Sequence, residues 1–261
     1  TIILQLLNRK QDCLDFIHKV YTVKKNKLVA EESRDIFLKN ETLKNSSSFK
    51  GKVPPPEDLC QPQQNPLIKM TDVCVRFGER KILHNINWQI NAGEFWQLVG
   101  PNGSGKTTIL AMITGDNVKG YGQNLVLFGK RKGSGETVWE IKEKMGYFAS
   151  YMVQQFERPD TAEQMIIGGF FDSIGLYIIP TDRQRALAIQ WLDLLGLSNQ
   201  KDTAFYKLTP VHQRMVLLAR AMVKHPPLLI LDEPGNGLDD AGASMLTILI
   251  NKIAAETASA I

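Results

Sequence analysis

Residues 95–108 read "FWQLVGPNGSGKTT", and the fold turns on how this stretch divides. Phe95 to Val99 carries no charge and is mostly apolar, the composition of a strand buried on both faces. Gly100 to Thr107 fits the pattern GxxxxGK[ST] in full, and a helical segment follows it, so the motif lies in the strand–loop–helix context it requires. Glycines 100, 103 and 105 allow unusual dihedrals, so that successive N–H groups point inward at phosphate oxygens while the helix N-terminus adds favourable potential. Lys106 is placed to bridge β- and γ-phosphates, Thr107 to offer a hydroxyl to Mg²⁺ and Thr108 to serve the α-phosphate side. With Pro101, Asn102 and Ser104 completing the loop, Gly100 to Thr108 form the candidate nucleotide-binding run.

Working outward, "LIKMTDVCVRF" (67–77) and "NINWQINAG" (85–93) alternate as strands do, while "NLVLFG", "MGYFAS" and "PLLILDEP" read as further strands with helical stretches between them. Such alternation argues for an α/β domain with a largely parallel sheet. The strand "LLILDEP" ends in two carboxylates: Asp232 can hold Mg²⁺ through its water shell, and Glu233 can orient or deprotonate an attacking water.

At this point the residues resemble the ATP-binding cassette (ABC) ATPases, in which a phosphate loop is followed by a helical insertion, a signature helix, an acidic strand and a loop like "GLD". The resemblance covers residues 67–250. It implies a P-loop NTPase fold of the ABC type, with a mostly parallel sheet, an antiparallel β subdomain and a helical insertion, together with Mg²⁺-dependent hydrolysis of ATP. Phe77 then takes the place of the aromatic that stacks on adenine, and Gly237, Leu238 and Asp239 that of a loop crossing the interface to a partner cassette. "FWQLVGPNGSGKTTILAMITGD", "FGKRKGSGETVWEIKEKMGY" and "GFFDSIGLY" resemble more narrowly the second half of tandem-cassette proteins associated with molybdate transport.

The resemblance also exposes departures. Leu208, Thr209, Pro210, Val211, His212 and Gln213 ("LTPVHQ") stand in place of the signature LSGGQ. Thr209 is a sound N-cap and Pro210 suits the first helical position, but Pro210 lacks an N–H donor and Val211 puts a branched side chain where glycine would admit a phosphate. Ser150 replaces an expected glutamine, with Gln154 and Gln155 four and five residues late. Residues 1–44 follow the order of a first cassette's C-terminal end, with Asn8 at the switch-histidine position. Asparagine can hydrogen-bond a γ-phosphate but cannot hold a proton or a charge.

The expected organisation is therefore the end of a first cassette (1–44), an exposed Pro/Ser/Gln-rich linker (45–66) and a second cassette (67–261) ending before its own switch strand. The run opens at Thr1 inside an apolar strand-like stretch, so its natural start is expected upstream. "TIILQLL" could fill the sheet position of the missing switch strand. In the family, a nucleotide sits between one cassette's phosphate loop and the other's signature. Both Asn8 and "LTPVHQ" then weaken the same composite site, while the site at Lys106 keeps Asp232 and Glu233.

Composition narrows the partners. The 43% apolar and 22% charged content is that of an ordinary globular protein, and a net charge of +4 with dispersed lysines implies neither nucleic acid nor membrane. Cys13, Cys60 and Cys74 have no paired spacing, which argues for a reducing compartment and against a structural metal. The long apolar stretch "MIIGGFFDSIGLYII" is too short to span a bilayer. Lys130 to Lys132 read as a solvated turn, and "RQRALAIQWLDLLGL" as a helix packing Trp191 and Leu195 inward. Cytoplasmic ATP hydrolysis with a second cassette or a like subunit, and with a membrane permease, is the main expectation; no nucleic-acid partner is expected. A non-catalytic ATP-sensing regulator is the alternative. A translation-associated cassette is disfavoured, because such proteins resemble one another in a long charged linker that the chain lacks.

Overall fold

The computed structural model describes residues 2–7, 17, 19–24, 27–33, 49–57, 65–156 and 159–257. Along the chain the strands are β1 (Ile2–Leu7), β2 (Lys19–Lys24), β3 (Lys27–Ser33), β4 (Ile68–Phe77), β5 (Arg80–Ile90), β6 (Phe95–Val99), β7 (Leu125–Leu127), β8 (Lys130–Arg131), β9 (Met145–Ala149) and β10 (Leu228–Asp232). The helices are α1 (Lys106–Ile113), α2 (Val138–Glu143), α3 (Ala162–Ile167), α4 (Asp182–Leu195), α5 (Pro210–Met222) and α6 (Asp240–Thr257).

Six strands form the main sheet in the order β3-β2-β6-β1-β10-β9. All neighbours run parallel except the β2–β3 hairpin. The first strand of the chain thus lies between the strand that feeds the glycine loop and the strand that ends in carboxylates, the placement left open by the sequence. Leu4 is in register with Trp96 on one side and Ile230 on the other, and Leu6 with Leu98 and Asp232. Since neighbouring strands lie about 4.8 Å apart, β1 sets β6 and β10 roughly 10 Å from each other. Their C-terminal ends, where parallel sheets bind ligands, share one edge.

A second, antiparallel sheet has the order β5-β4-β7-β8. Trp88 on β5 meets Trp96 on β6 edge to face, with centroids 5.7 Å apart, and the Trp96 indole N–H donates to the Glu94 carboxylate at 3.0 Å. Two large aromatics at the junction fix the small sheet over α1.

The helical insertion owes its form to local capping and one buried cation. Thr161 and Thr181 cap α3 and α4 in reciprocal boxes with Gln164 and Gln184. Helix α4 buries Leu187, Ala188, Trp191 and Leu195, as its periodicity predicts. Arg220 of α5 is buried and donates to the Met165 carbonyl at 2.8 Å and the Ser173 carbonyl at 2.6 Å. A side chain at Gly168 would overlap its guanidinium, and one at Gly169 its carbonyl oxygen, which accounts for the glycine pair in "GGFFDS".

Two expectations are corrected. Residues 49–57 are laid against the helices rather than free: Phe49 and Val53 join the apolar core, Pro54 is buried and its carbonyl bonds His225 Nε2 at 2.7 Å, and Val53 N–H donates to Glu256 at 2.6 Å. Burial pushes the His225 pKa down, so the neutral ring donates to that carbonyl. Lys132 is not solvated either. It is buried with its ammonium 3.8 Å from Glu136 and 4.9 Å from the Tyr121 ring centroid, while Glu136 accepts from the N–H groups of Gly133 and Ser134 at 2.6 and 2.9 Å. Only Lys130 and Arg131 of that basic run are exposed. Asn8, Cys13 and Cys60 lie outside the described residues.

Because β1 is paired on both sides, Leu4→Pro removes a ladder donor from a central strand. Chemical denaturation should show a loss of about 3 kcal/mol or more. An unchanged midpoint would mean that β1 is dispensable to the sheet.

Candidate nucleotide site

The loop Gly100 to Gly105 leaves β6 at the sheet edge and delivers Lys106 as the first residue of α1. Gly105 sits in the left-handed region at φ 99°, and a Cβ there would stand 2.6 Å from the Leu83 side chain. Glycine is required both by the dihedral and by this close approach to β5. Gly103 also has positive φ (77°), and Ser104 N–H donates to the Pro101 carbonyl at 3.2 Å, closing the turn. The Lys106 ammonium is held by the Gly100 and Pro101 carbonyls at 2.5 and 3.2 Å. Burial lowers its pKa, and the charges of Glu233 and Asp232 oppose that shift.

Asp232 closes β10 two strands away and lines the same cleft. Its carboxyl is pushed up chiefly by burial and further by Glu233, with Lys106 pulling it back. Glu233 follows at φ 48°, an uncommon conformation for a non-glycine residue. Asn236 holds it there: its backbone N–H donates to the Glu233 carbonyl at 3.1 Å, and its side chain to Glu233 Oε2 at 2.9 Å.

These groups meet in one cleft of about 430 Å³ lined by Phe77, Asn102 to Thr108, Asp232 and Glu233, with Arg80, Ile82 and Leu110. Phe77 is 49% exposed at the rim, its ring 5.9 Å from the Lys119 ammonium. Arg80 and Ile82 were missed from the sequence, although a signal existed: Phe77 and Arg80 face each other across the two-residue turn Gly78–Glu79, so a ligand on one reaches the other. The Thr107 hydroxyl and Asp232 carboxylate share this cleft, and a cation there would relieve the repulsion between Asp232 and Glu233. Two hard oxygen donors, with the remaining positions open to phosphate and water, fit Mg²⁺.

The remaining positions fall elsewhere. Neither Ser150 nor Gln154 and Gln155 line the cleft; they form a 3₁₀ turn after β9. In "LTPVHQ", Thr209 does cap α5, accepting from His212 N–H at 3.4 Å, and Pro210 occupies the first turn. Gln213 of the same stretch is buried and donates to the Phe205 carbonyl at 3.0 Å, and Leu208 is buried in the core. Thr209, Pro210, Val211 and His212 remain at the surface or partly so. Among the interface-loop residues, Gly237 is left-handed at φ 77°, Leu238 packs on the core, and Asp239 accepts from Gly242 N–H at 2.8 Å at the start of α6.

A glycine loop that sets a lysine and a hydroxyl opposite a strand ending in acids defines a P-loop nucleotide-binding domain. The chain belongs to the ABC transporter family, whose pattern matches residues 83–236, more than half of its length. This is a family of ATP-hydrolysing domains. The chain is 44% identical over 196 residues to the ABC transporter ATP-binding protein ModF of Escherichia coli, a match covering 75% of the chain and 40% of ModF. It is 31% identical over 250 residues to an uncharacterised ABC transporter ATP-binding protein, C323.04, of Schizosaccharomyces pombe, covering 94% of the chain and 50% of that protein. The chain therefore spans half or less of the length of these relatives. Among solved structures, CbiO1 of Clostridium perfringens, part of the ABC transporter complex CbiONQ, superposes with a TM-score of 0.64 at 24% identity over 75% of the chain and 76% of CbiO1, which speaks to the fold. No helix of the described residues is long and apolar enough to cross a membrane.

Two outcomes are expected of the site itself. Gly105→Ala should cost about 1–2 kcal/mol from its left-handed backbone alone, with the overlap on Leu83 adding to it. It should also abolish the rise in Tm that MgATP causes; a retained rise would show that the loop tolerates a side chain. For Asp232 the carboxyl has a raised folded-state pKa, so its charge costs stability that sets in as pH rises through the unfolded value. Asp232→Asn should raise Tm at neutral pH and lose that advantage towards pH 3. A variant less stable than the parent at pH 7 would contradict this.

Proposed function

We propose that the chain binds and hydrolyses ATP with Mg²⁺ as one cassette of a tandem-cassette protein. The observation that carries this reading is the convergence of Lys106, Thr107, Asp232 and Glu233 on one cleft with Phe77 at its rim. Loop N–H groups and Lys106 hold the β- and γ-phosphates, Phe77 stacks the adenine, and Arg80 stands beside the base and ribose. Glu233 orients a water and takes its proton as the oxygen bonds to the γ-phosphorus; the bond to the β,γ-bridging oxygen breaks, releasing ADP and phosphate. Thr107 and Asp232 would hold Mg²⁺, which when bound would supply neutralisation of the phosphate charge.

The complete protein has two composite sites on this reading, one at Lys106 and one that pairs the start of α5 with a partner cassette's phosphate loop. Only the first carries a full set of groups. At the second, Pro210 offers no N–H, Val211 crowds the approach, and the Thr209 hydroxyl already accepts from His212. The pair is therefore asymmetric, with hydrolysis at Lys106 and slower turnover or retention at the other. The same crippled helix start favours a second reading, an ATP-sensing regulator in which closure rather than turnover is the signal. The stretches "FGKRKGSGETVWEIKEKMGY" and "GFFDSIGLY" support a molybdate-associated cargo, with the protein at the cytoplasmic face beside a permease.

Steady-state ATPase of the full-length protein decides between the two readings. Glu233→Gln should lower kcat by about a hundredfold or more while nucleotide affinity persists. Activity indifferent to Glu233 would remove the hydrolytic assignment. Molybdate accumulation unchanged on deletion of the gene would remove the cargo.

A further inference from the structure

Arg214 lies on α5, five residues past the Thr209 cap, and its guanidinium leaves its own helix to donate from Nη1 to the Pro234 carbonyl at 3.0 Å. It is half-buried, and burial lowers its pKa, so its charge has been drawn out of water for this contact. A Cβ on Gly237 would stand 3.7 Å from its Nη2, so the planar fork lies against the turn running from Glu233 to Leu238. Within the turn, Asn236 N–H donates to the Glu233 carbonyl at 3.1 Å and Leu238 N–H to the Gly235 carbonyl at 3.2 Å. The Pro234 carbonyl attaches it to α5.

We propose that Arg214 is a positioning residue for Glu233, holding its carboxylate in place through the Pro234 carbonyl and so tying the hydrolytic group to the helix start that faces the partner's nucleotide. The inference rests on the hydrolytic reading of Glu233 given above. Its physical basis is the backbone of Glu233, at φ 48°. A residue with a side chain persists there only where its surroundings over-determine the conformation. Asn236 fixes the carboxylate from one side and Arg214 fixes the following peptide from the other. With the Arg214 bond removed, Glu233 can relax towards the extended region favoured by a residue that precedes proline, which turns its Cα–Cβ direction and carries the carboxylate away from Asp232 and Lys106. Arg214 does not line the cleft, so nucleotide binding is left to the phosphate loop. The same helix carries Thr209 and Pro210 on its exposed first turn, and α5 is hydrogen-bonded from that cap through Gln213. A shift of the helix start when a partner docks is thereby passed to Pro234 and on to Glu233.

The test is kinetic and uses the full-length protein. Arg214→Met should lower kcat by about tenfold, a fraction of the roughly hundredfold that a misplacement of about 1 Å can cost, with KM and nucleotide affinity within about twofold. Arg214→Lys should recover most of the loss, because an ammonium can still reach one carbonyl. In a Glu233→Gln background, where single-turnover rates are compared, adding Arg214→Met should cost nothing further. Unchanged kcat in Arg214→Met, a parallel loss of affinity, or an undiminished tenfold loss in the Glu233→Gln background would each overturn the inference. Should Arg214→Met fail to fold, Arg214→Gln serves instead, and an unchanged kcat there overturns it equally. If Glu233→Gln alone retains full activity, the hydrolytic reading of Glu233 is what has failed. If Glu233→Gln is inactive and Arg214→Met is normal, only the positioning role has failed.

Discussion

The site depends on a spacing set by a strand remote from it in sequence. The phosphate loop leaves β6 and the acidic pair leaves β10, and these strands are not neighbours: β1 stands between them, in parallel register with both. Backbone hydrogen bonding across a three-strand unit is a stiff ruler, since each spacing is fixed near 4.8 Å by N–H···O=C geometry. The strands that carry Lys106 and Asp232 owe their separation to that ruler. Residues 2–7 are therefore part of the structure that supports the nucleotide site, although they precede the phosphate loop by about ninety residues.

On this frame the cleft gathers groups that oppose one another. Asp232 and Glu233 repel, burial raises the Asp232 carboxyl, and Lys106 is the nearby cation that offsets both. An arrangement of this kind is poor for stability and suited to a polyphosphate with its metal, whose charges complete the balance. The left-handed backbone at Glu233 belongs to the same pattern of local cost maintained by rigid surroundings. Those surroundings are α5 and the turn it holds. Arg214 joins that helix to the turn through the Pro234 carbonyl.

Where sequence reading failed, long-range packing outweighed local composition. Residues 49–57 are polar and proline-rich, which ordinarily means exposure, yet Pro54 is taken up by His225 and Val53 by Glu256, each far away in sequence. Lys132 follows Lys130 and Arg131 and precedes two glycines; a buried Glu136 four residues on and the face of Tyr121 draw it inward.

What the amino-acid sequence determined by itself was the chemistry: the glycine loop with Lys106 and Thr107, the acidic end of β10, the alternation that makes an α/β sheet, and the capped helices of the insertion. Each of these is written within a dozen consecutive residues, because turn dihedrals, caps and period are short-range properties of the chain. Tertiary structure alone decided which strand separates the loop from the acids, that Gly105 must also admit Leu83, that Arg80 and Ile82 complete the cleft, and that Arg214 reaches Pro234. Those are contacts between segments that only sheet pairing and close packing bring together, and no local pattern encodes which distant residue will fill the facing space.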